Sequence, residues 1–259
     1  MSMTLTYRQI TPDLARRIRL VMTDVDGTLT SDGRSFGPEV LEAIHQLERQ
    51  DIMVGLASGR TLSRLESLSY DLGISGPLIG ENGGVAKLKA DGEPVDLGYF
   101  RQPAIEAFKK LKKLFPGITE ETEYNKDRFI DFVIKAYEVE PTELSRHLED
   151  AQLLDSGYML HLLQKGVSKG RTLMRLLKKI GDESLSPAEV MVFGDSLTDI
   201  SLFQLLPYGV FIPNPVLSAE HSQALQEVAK YESNLPFGRG FAEVAFHILN
   251  ARLDSDLKK

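Results

Sequence analysis

Ile18-Arg19-Leu20-Val21-Met22-Thr23-Asp24-Val25-Asp26-Gly27-Thr28-Leu29-Thr30 begins as a short apolar run and ends in two carboxylates one residue apart, a Gly and a Thr. An apolar run of this length, closed by turn chemistry, predicts a buried strand. Acids at alternate positions at its carboxyl end point to the same side. Two carboxylates that close repel, so at neutral pH they need a cation between them or a shared proton. Gly27 lets the backbone turn tightly and lets a ligand approach.

On either side of this stretch, strand and helix alternate. A helix is expected over 38–50, with Pro38 in its first turn and Val40, Leu41, Ile44 and Leu47 at helical spacing. A strand over 53–57 runs into Ser58-Gly59-Arg60, Thr61 can cap a helix reaching residue 71, and 78–80 reads as a third strand. Apolar strands joined by helices imply a parallel sheet covered on both faces. After Glu81-Asn82-Gly83-Gly84 the rhythm changes. Strand-like pieces at 85–88, 94–97, 118–124, 128–135 and 158–163 mix with helical patterns at 103–114 and 141–152. From 166 the first rhythm returns: a helix over 169–180, a strand over 190–193, a helix from 198, a strand over 209–212, helices over 218–228 and 240–253, and a frayed tail over 254–259. The fold class expected is α/β, with a doubly wound parallel (Rossmann-like) sheet core over 1–84 and 166–259 and a small inserted α/β cap domain over 85–165.

The chain's 259 residues allow a sizeable core, and 42% hydrophobic with 26% charged residues is ordinary globular composition. With 37 acidic and 30 basic residues the formal charge is −7, which argues against a general nucleic-acid partner. There is no Cys, which excludes disulfides and thiolate metal sites. No apolar run is as long as a membrane span, and residues 1–17 lack a signal peptide's apolar block, so no membrane partner and a cytoplasmic location are expected.

Ligands of open α/β sheets bind beyond the carboxyl ends of the strands. The groups expected there are Asp24, Asp26 and Thr28 from the first strand, Ser58 from the second, Glu81-Asn82-Gly83-Gly84 from the third, and Asp195 and Asp199 from the fourth, with Lys169 opening the preceding helix. Acids, a cation and small polar donors suit phosphoryl transfer, where charge on the moving phosphoryl group must be neutralised. Mg²⁺ suits such a site because it prefers hard oxygen ligands.

Asp24-Val25-Asp26-Gly27-Thr28, Ala57-Ser58-Gly59-Arg60, Val167-Ser168-Lys169-Gly170 and Gly194-Asp195-Ser196-Leu197-Thr198-Asp199 together resemble, in order, the four motifs of the haloacid dehalogenase superfamily. The resemblance implies that Asp24 is the nucleophile toward phosphorus, and that Asp26 protonates the leaving oxygen and then activates water. It implies that Ser58 and Lys169 hold phosphate oxygens. Mg²⁺ would be held by Asp24, the Asp26 backbone carbonyl and Asp195, with Asp199 as ligand or support. An acid at Asp26 separates phosphatases and phosphomutases from the dehalogenases and transport ATPases of the superfamily. Thr198 stands where the superfamily usually has Asn, and Pro215 follows Asn214 where a small residue is usual.

The insert's place after Glu81-Asn82-Gly83-Gly84 resembles the branch that holds sugar-phosphate, sucrose-phosphate, mannosyl-phosphoglycerate and archaeal-type phosphoglycolate phosphatases. Gly73-Ile74-Ser75-Gly76-Pro77 and Ser156-Gly157-Tyr158 followed by His161-Leu162 and Lys165-Gly166 resemble the phosphoglycolate type most. The substrate-binding candidates are Thr28, Gly59, Arg60, Asn82 and Asn214 in the core, and Arg128, His161 and Lys165 in the cap, where Arg suits a carboxylate through paired hydrogen bonds. Gly83-Gly84 and Gly166 are expected hinges of the cap. The expected function is a magnesium-dependent phosphatase acting on a small phosphorylated acid or sugar, as a monomer or homodimer. A phosphomutase of the phosphomannomutase type and a binding protein with a retired site are the alternatives.

Overall fold

The opening apolar run forms strand β2 (Leu20–Thr23), buried at every position. The computed structural model describes residues 4–180 and 185–256. Its other strands are β1 (Leu5–Thr6), β3 (Met53–Ala57), β4 (Leu78–Gly80), β5 (Val85–Lys87), β6 (Ile118–Glu120), β7 (Phe132–Ala136), β8 (Ala151–Asp155), β9 (Leu160–Gln164), β10 (Val190–Gly194), β11 (Gly209–Phe211) and β12 (Tyr231–Glu232). The helices are α1 (Pro12–Arg17), α2 (Pro38–Arg49), α3 (Leu62–Leu72), α4 (Gln102–Leu114), α5 (Thr122–Asn125), α6 (Pro141–Ser145), α7 (Lys169–Leu176), α8 (Ile200–Leu205), α9 (Ala219–Val228) and α10 (Phe237–Asp256).

Eight strands make one sheet in the order β1-β12-β11-β10-β2-β3-β4-β5, parallel except where β5 runs antiparallel to β4. The pleat sends alternate residues to opposite faces. Val21, Val54, Leu56, Met191, Phe193 and Val210 enter one core with residues of α1, α2, α3 and α10. Leu20, Met22, Ala57, Val190, Val192 and Phe211 enter the other with residues of α7, α8 and α9. Both faces are therefore dry, which is why these strands read as continuous apolar runs. This is the doubly wound core expected from the sequence.

Between β5 and α7 the chain builds the cap, an antiparallel sheet in the order β6-β7-β9-β8. Ala104, Ala107, Phe108 and Leu111 of α4 cover it, against Ile118, Phe132, Ile134, Leu144 and Leu162.

The sequence expectations need correcting in several places, and one is the strand expected over 118–124, which stops at Glu120 and gives way to α5. Val85–Lys87 forms a strand, but it pairs with β4 in the core sheet, so the expected boundary at 85 cuts through the core. Residues 94–97 form no strand; Pro94 makes only an isolated bridge to Lys87. The helix expected over 141–152 stops at Ser145, and Ala151–Asp155 is β8, paired residue by residue with β9. Its Ala, Gln and Leu favour helix locally, but a sheet edge that needs a partner overrides that weak preference. The strand expected over 128–135 starts only at Phe132, because 129–131 is a loop bound to Glu81. The short elements β1, α1 and β12 carry too few residues to show a period. The tail expected to fray from 254 continues as helix to Asp256, and 257–259 lie outside the described residues.

Candidate active site

Strands β2 and β10 are neighbours with Thr23 opposite Phe193, so Asp24 and Asp195 leave the sheet side by side. From β2 the order runs to β3 and β4 on one side and to β10, β11 and β12 on the other. That reversal opens a crevice at the carboxyl edge, where open α/β sheets bind ligands. Asp24 lines a cleft of about 800 Å³ bounded by this edge and the cap. A space of that size takes a small molecule.

Gly27 has φ +91°, and a Cβ there would collide with the Asp195 carboxylate. Glycine thus permits the loop after β2 to fold over the acid of the neighbouring strand. Thr28 Oγ1 donates to Asp195 Oδ1 at 2.7 Å, and Asn214 Nδ2 donates to Asp195 Oδ2 at 2.7 Å. Thr28 and Asn214 were expected to touch substrate. Instead both are buried and outside the cleft lining, with Thr28 Oγ1 and Asn214 Nδ2 on Asp195 and Asn214 Oδ1 on the Val216 N–H.

Lys169, only 1% exposed, donates to Asp24 Oδ1 at 3.0 Å and to Asp199 Oδ1 at 2.7 Å. The N-terminus of α7 reaches this position because Gly83, at φ +107°, lies against the Ser168 backbone, where a Cβ would clash. Thr172 clamps the contact by donating to the Gly83 carbonyl at 2.7 Å. Asp199 also accepts from the backbone N–H of Asp195 and Ser196 through Oδ2, so both its oxygens are engaged. Burial opposes the charge on Lys169, but Asp199 and Asp24 outweigh it and keep it an ammonium.

Ser58 and Gly59 line the cleft at the end of β3. Asn82 lines it too, in the left-handed region at φ +56°, and its buried Nδ2 has no partner among the described residues. Arg60 donates to both oxygens of Asp26, through Nε at 2.8 Å and Nη2 at 2.6 Å, and Nη2 also reaches the Gly33 carbonyl. Both oxygens of the Asp26 carboxylate are thereby engaged, and Asp26 stands outside the cluster formed by the oxygens of Asp24, Asp195 and Asp199.

Arg128 and His161 line the cap side of the cleft, and both bond to buried Asp131. Arg128 also donates from Nε to the Tyr124 carbonyl, so the fork expected to clasp a substrate carboxylate is partly engaged within the cap. Lys165 is exposed and outside the cleft lining, since its neighbours Gln164 and Gly166 turn the chain back toward α7. Asp131, Tyr124 and Tyr158 were missed. The only sequence signal for Asp131 was its spacing three residues after Arg128.

Asp24, Asp195 and Asp199 each place a carboxylate oxygen within 4.8 Å of the others'. Burial, opposed by Lys169 and reinforced by Asp199 and Asp26, pushes Asp24 up to about 7. Burial and the neighbouring acids Asp24 and Asp199 likewise push Asp195 well above the carboxylate range. Among the described residues Lys169, bonded to Asp24 and Asp199 and not to Asp195, is the one cation paired with any of these three acids. A buried set of hard oxygen donors short of positive charge fits a divalent cation such as Mg²⁺.

A doubly wound sheet, a cap inserted after its strand β5 and an acid-lined crevice define a hydrolase of the haloacid dehalogenase-like type. The family model described as haloacid dehalogenase-like hydrolase matches residues 21–116 and 101–232, and the chain belongs to that family. As an enzyme it is a phosphoric monoester hydrolase. A phosphoglycolate phosphatase of Methanoculleus marisnigri is 36% identical over 236 residues, covering 87% of this chain and 94% of its own. A phosphoglycolate phosphatase of Methanospirillum hungatei is 31% identical over 232 residues, covering 88% and 95%. A crystal structure of a Thermoplasma acidophilum protein superposes with a TM-score of 0.76 at 25% identity, covering 89% of this chain and 98% of that one. No helix among the described residues is long and apolar enough to cross a membrane.

Proposed function

We propose that the protein is a Mg²⁺-dependent phosphatase for a small phosphorylated acid of the 2-phosphoglycolate kind, working through an aspartyl-phosphate. The observation that carries this reading is the state of Asp24. Its Oδ1 is held by Lys169, its Oδ2 has no hydrogen-bond partner among the described residues, and the residue lines the cleft. A carboxylate oxygen fixed on one side and open on the other is placed to attack phosphorus. Asp24, Asp195 and the Asp26 carbonyl, with Asp199 behind them, would hold Mg²⁺, which would supply positive charge to offset that of the phosphoryl group.

Ser58, the Asn82 amide and Lys169 surround the phosphoryl position as donors. The orphaned Asn82 Nδ2 supports this, because a buried amide N–H without a partner costs about 1–3 kcal/mol and a phosphate oxygen would satisfy it. Asp26 lines the cleft with both oxygens on Arg60, and its place there suits activation of the water that hydrolyses the aspartyl-phosphate. To protonate the leaving oxygen in the first step, Asp26 must release at least one of these bonds. The two methanogen relatives carry the name of the phosphoglycolate reaction, and the cap offers a cationic side chain for the carboxylate of such a substrate.

The test ranks 2-phosphoglycolate, sugar phosphates and mannosyl-phosphoglycerate by kcat/KM with Mg²⁺, with inorganic phosphate as the readout. Phosphoglycolate should rank first with stoichiometric phosphate release, and Asp24→Asn should abolish it. A sugar phosphate in first place would overturn the substrate, and phosphoryl transfer without phosphate release would point to the mutase.

A further inference from the structure

We propose that Asp131 is a positioning residue which aims Arg128 and His161 at the substrate's carboxylate and so sets the enzyme's preference for phosphorylated acids. The inference rests on the phosphatase reading above. A single oxygen, Asp131 Oδ2, accepts from Arg128 Nη1 at 2.5 Å and bonds His161 Nδ1 at 2.7 Å. Two side chains from different elements, the loop before β7 and strand β9, therefore converge on one point. Arg128 has Nε on Tyr124 and Nη1 on Asp131, so each fork of the guanidinium has one prong engaged and Nη2 remains. His161 has Nδ1 engaged and Nε2 remains. Both residues line the cleft, so Nη2 and Nε2 are the two groups left to meet a ligand. An anion with two oxygens in one plane suits such a pair of separate points.

Asp131 is itself held from the core. Glu81, fully buried at the end of β4, accepts from the backbone N–H of Phe129, Ile130 and Asp131 at 2.7–3.1 Å. The carboxylate that fixes the loop thus comes from the same tetrapeptide that brings Asn82 to the phosphoryl position. Phosphate and carboxylate ends of one substrate would be gauged by a single rigid stretch. Asp131 is fully buried, and its Oδ1 has no partner among the described residues. A buried acid with an unpartnered oxygen is costly for the fold, which fits a residue kept for the groups it orients.

The test compares 2-phosphoglycolate with ethyl phosphate, which lacks the carboxylate, as a ratio of kcat/KM, with circular dichroism and melting curves on each variant. The wild type should favour phosphoglycolate by at least about tenfold, and Asp131→Asn should cut that ratio about tenfold, mainly through KM. If Asp131 acts through Arg128, the double variant Asp131→Asn/Arg128→Lys should fall no more than about threefold below the worse single variant. A ratio within about twofold of wild type in Asp131→Asn, or losses that multiply, would overturn the inference. Should Asp131→Asn not fold, Arg128→Lys and His161→Gln carry the same reading, and an unchanged ratio in both would overturn it. A wild type that favours ethyl phosphate overturns the substrate reading itself. A wild type that favours phosphoglycolate, with a variant that keeps the preference, overturns only the role of Asp131. Arg34 and Arg64 line the same cleft from the core, and loss of selectivity in Arg34→Ala or Arg64→Ala alone would move the carboxylate site there and overturn the proposal too.

Discussion

Lys169 lies 3.0 Å from Oδ1 of Asp24 across 145 residues of chain, and the same ammonium reaches Asp199 at 2.7 Å. One cation thus joins the carboxyl end of β2 to the loop after β10. Lys169→Met should lower kcat by at least about 10²-fold, since a charge aimed at the reacting group is lost. It should also destabilise the metal-free protein by roughly 3–5 kcal/mol, because Asp24 and Asp199 lose their shared partner. Urea titrations check the second part, and an undiminished midpoint would contradict it. Lys169→Arg should not rescue turnover, because a planar guanidinium does not fit a pocket closed around an ammonium.

Burial raises the Asp24 carboxyl from 3.8 to about 7. Its folded value exceeds its unfolded one, so without metal its stabilising contribution is complete below 3.8 and is lost as pH rises through about 7. A bound divalent cation favours the ionised form and reverses that loss. Added Mg²⁺ should therefore raise the melting temperature more at pH 7.5 than at pH 5, by about 3 °C or more. The difference should shrink in Asp24→Asn. Equal shifts at the two pH values would count against the coupling.

Thr28 and the Asn214 amide N–H reach Asp195 and not the cleft, while Asn214 Oδ1 holds the Val216 N–H, so their removal should act on the site chiefly through the metal. Asn214→Ala is expected to weaken Mg²⁺ about 10–100-fold while turnover recovers at high Mg²⁺. Calorimetric titration, with turnover measured across Mg²⁺ concentrations, would show it. A kcat that stays low at saturating metal would assign Asn214 a direct role instead.

Gly83 admits the Ser168 backbone where a side chain would clash. Gly83→Ala should push α7 and Lys169 outward and cost about 10²-fold in kcat, with a smaller change in KM. Stopped-flow measurement of phosphate release would resolve the two. The expected hinge at Gly84 fares differently. A Cβ there would press on Ile130 at 2.7 Å, and its N–H donates to the Glu81 carbonyl, so proline would damage packing before it tested motion.

The sequence carried the core well, because burial on both faces writes β2, β3, β4 and β10 as uninterrupted apolar runs with acids and glycine at their ends. The cleft residues Asp24, Ser58 and Lys169 and the buried Asp195 were legible for the same reason: they sit where strands stop and helices start. Partners were not legible. Nothing local tells that Thr28 and Asn214 turn to Asp195, that Arg60 takes Asp26, or that Asp131 gathers Arg128 and His161, since each pairing is made by packing of distant segments. The cap was read least well. Its β8 has the composition of a helix and becomes a strand only because β9 lies beside it.

One edge strand of the large sheet, β5, comes from the first residues past the glycine pair. A chimaera that exchanged the insert at residue 85 would strip this strand and bare the polar edge of β4, a template for aggregation. Grafts that keep Val85–Lys87 with the host body should stay soluble, which makes this short strand the place where specificity modules of related enzymes can be cut and joined.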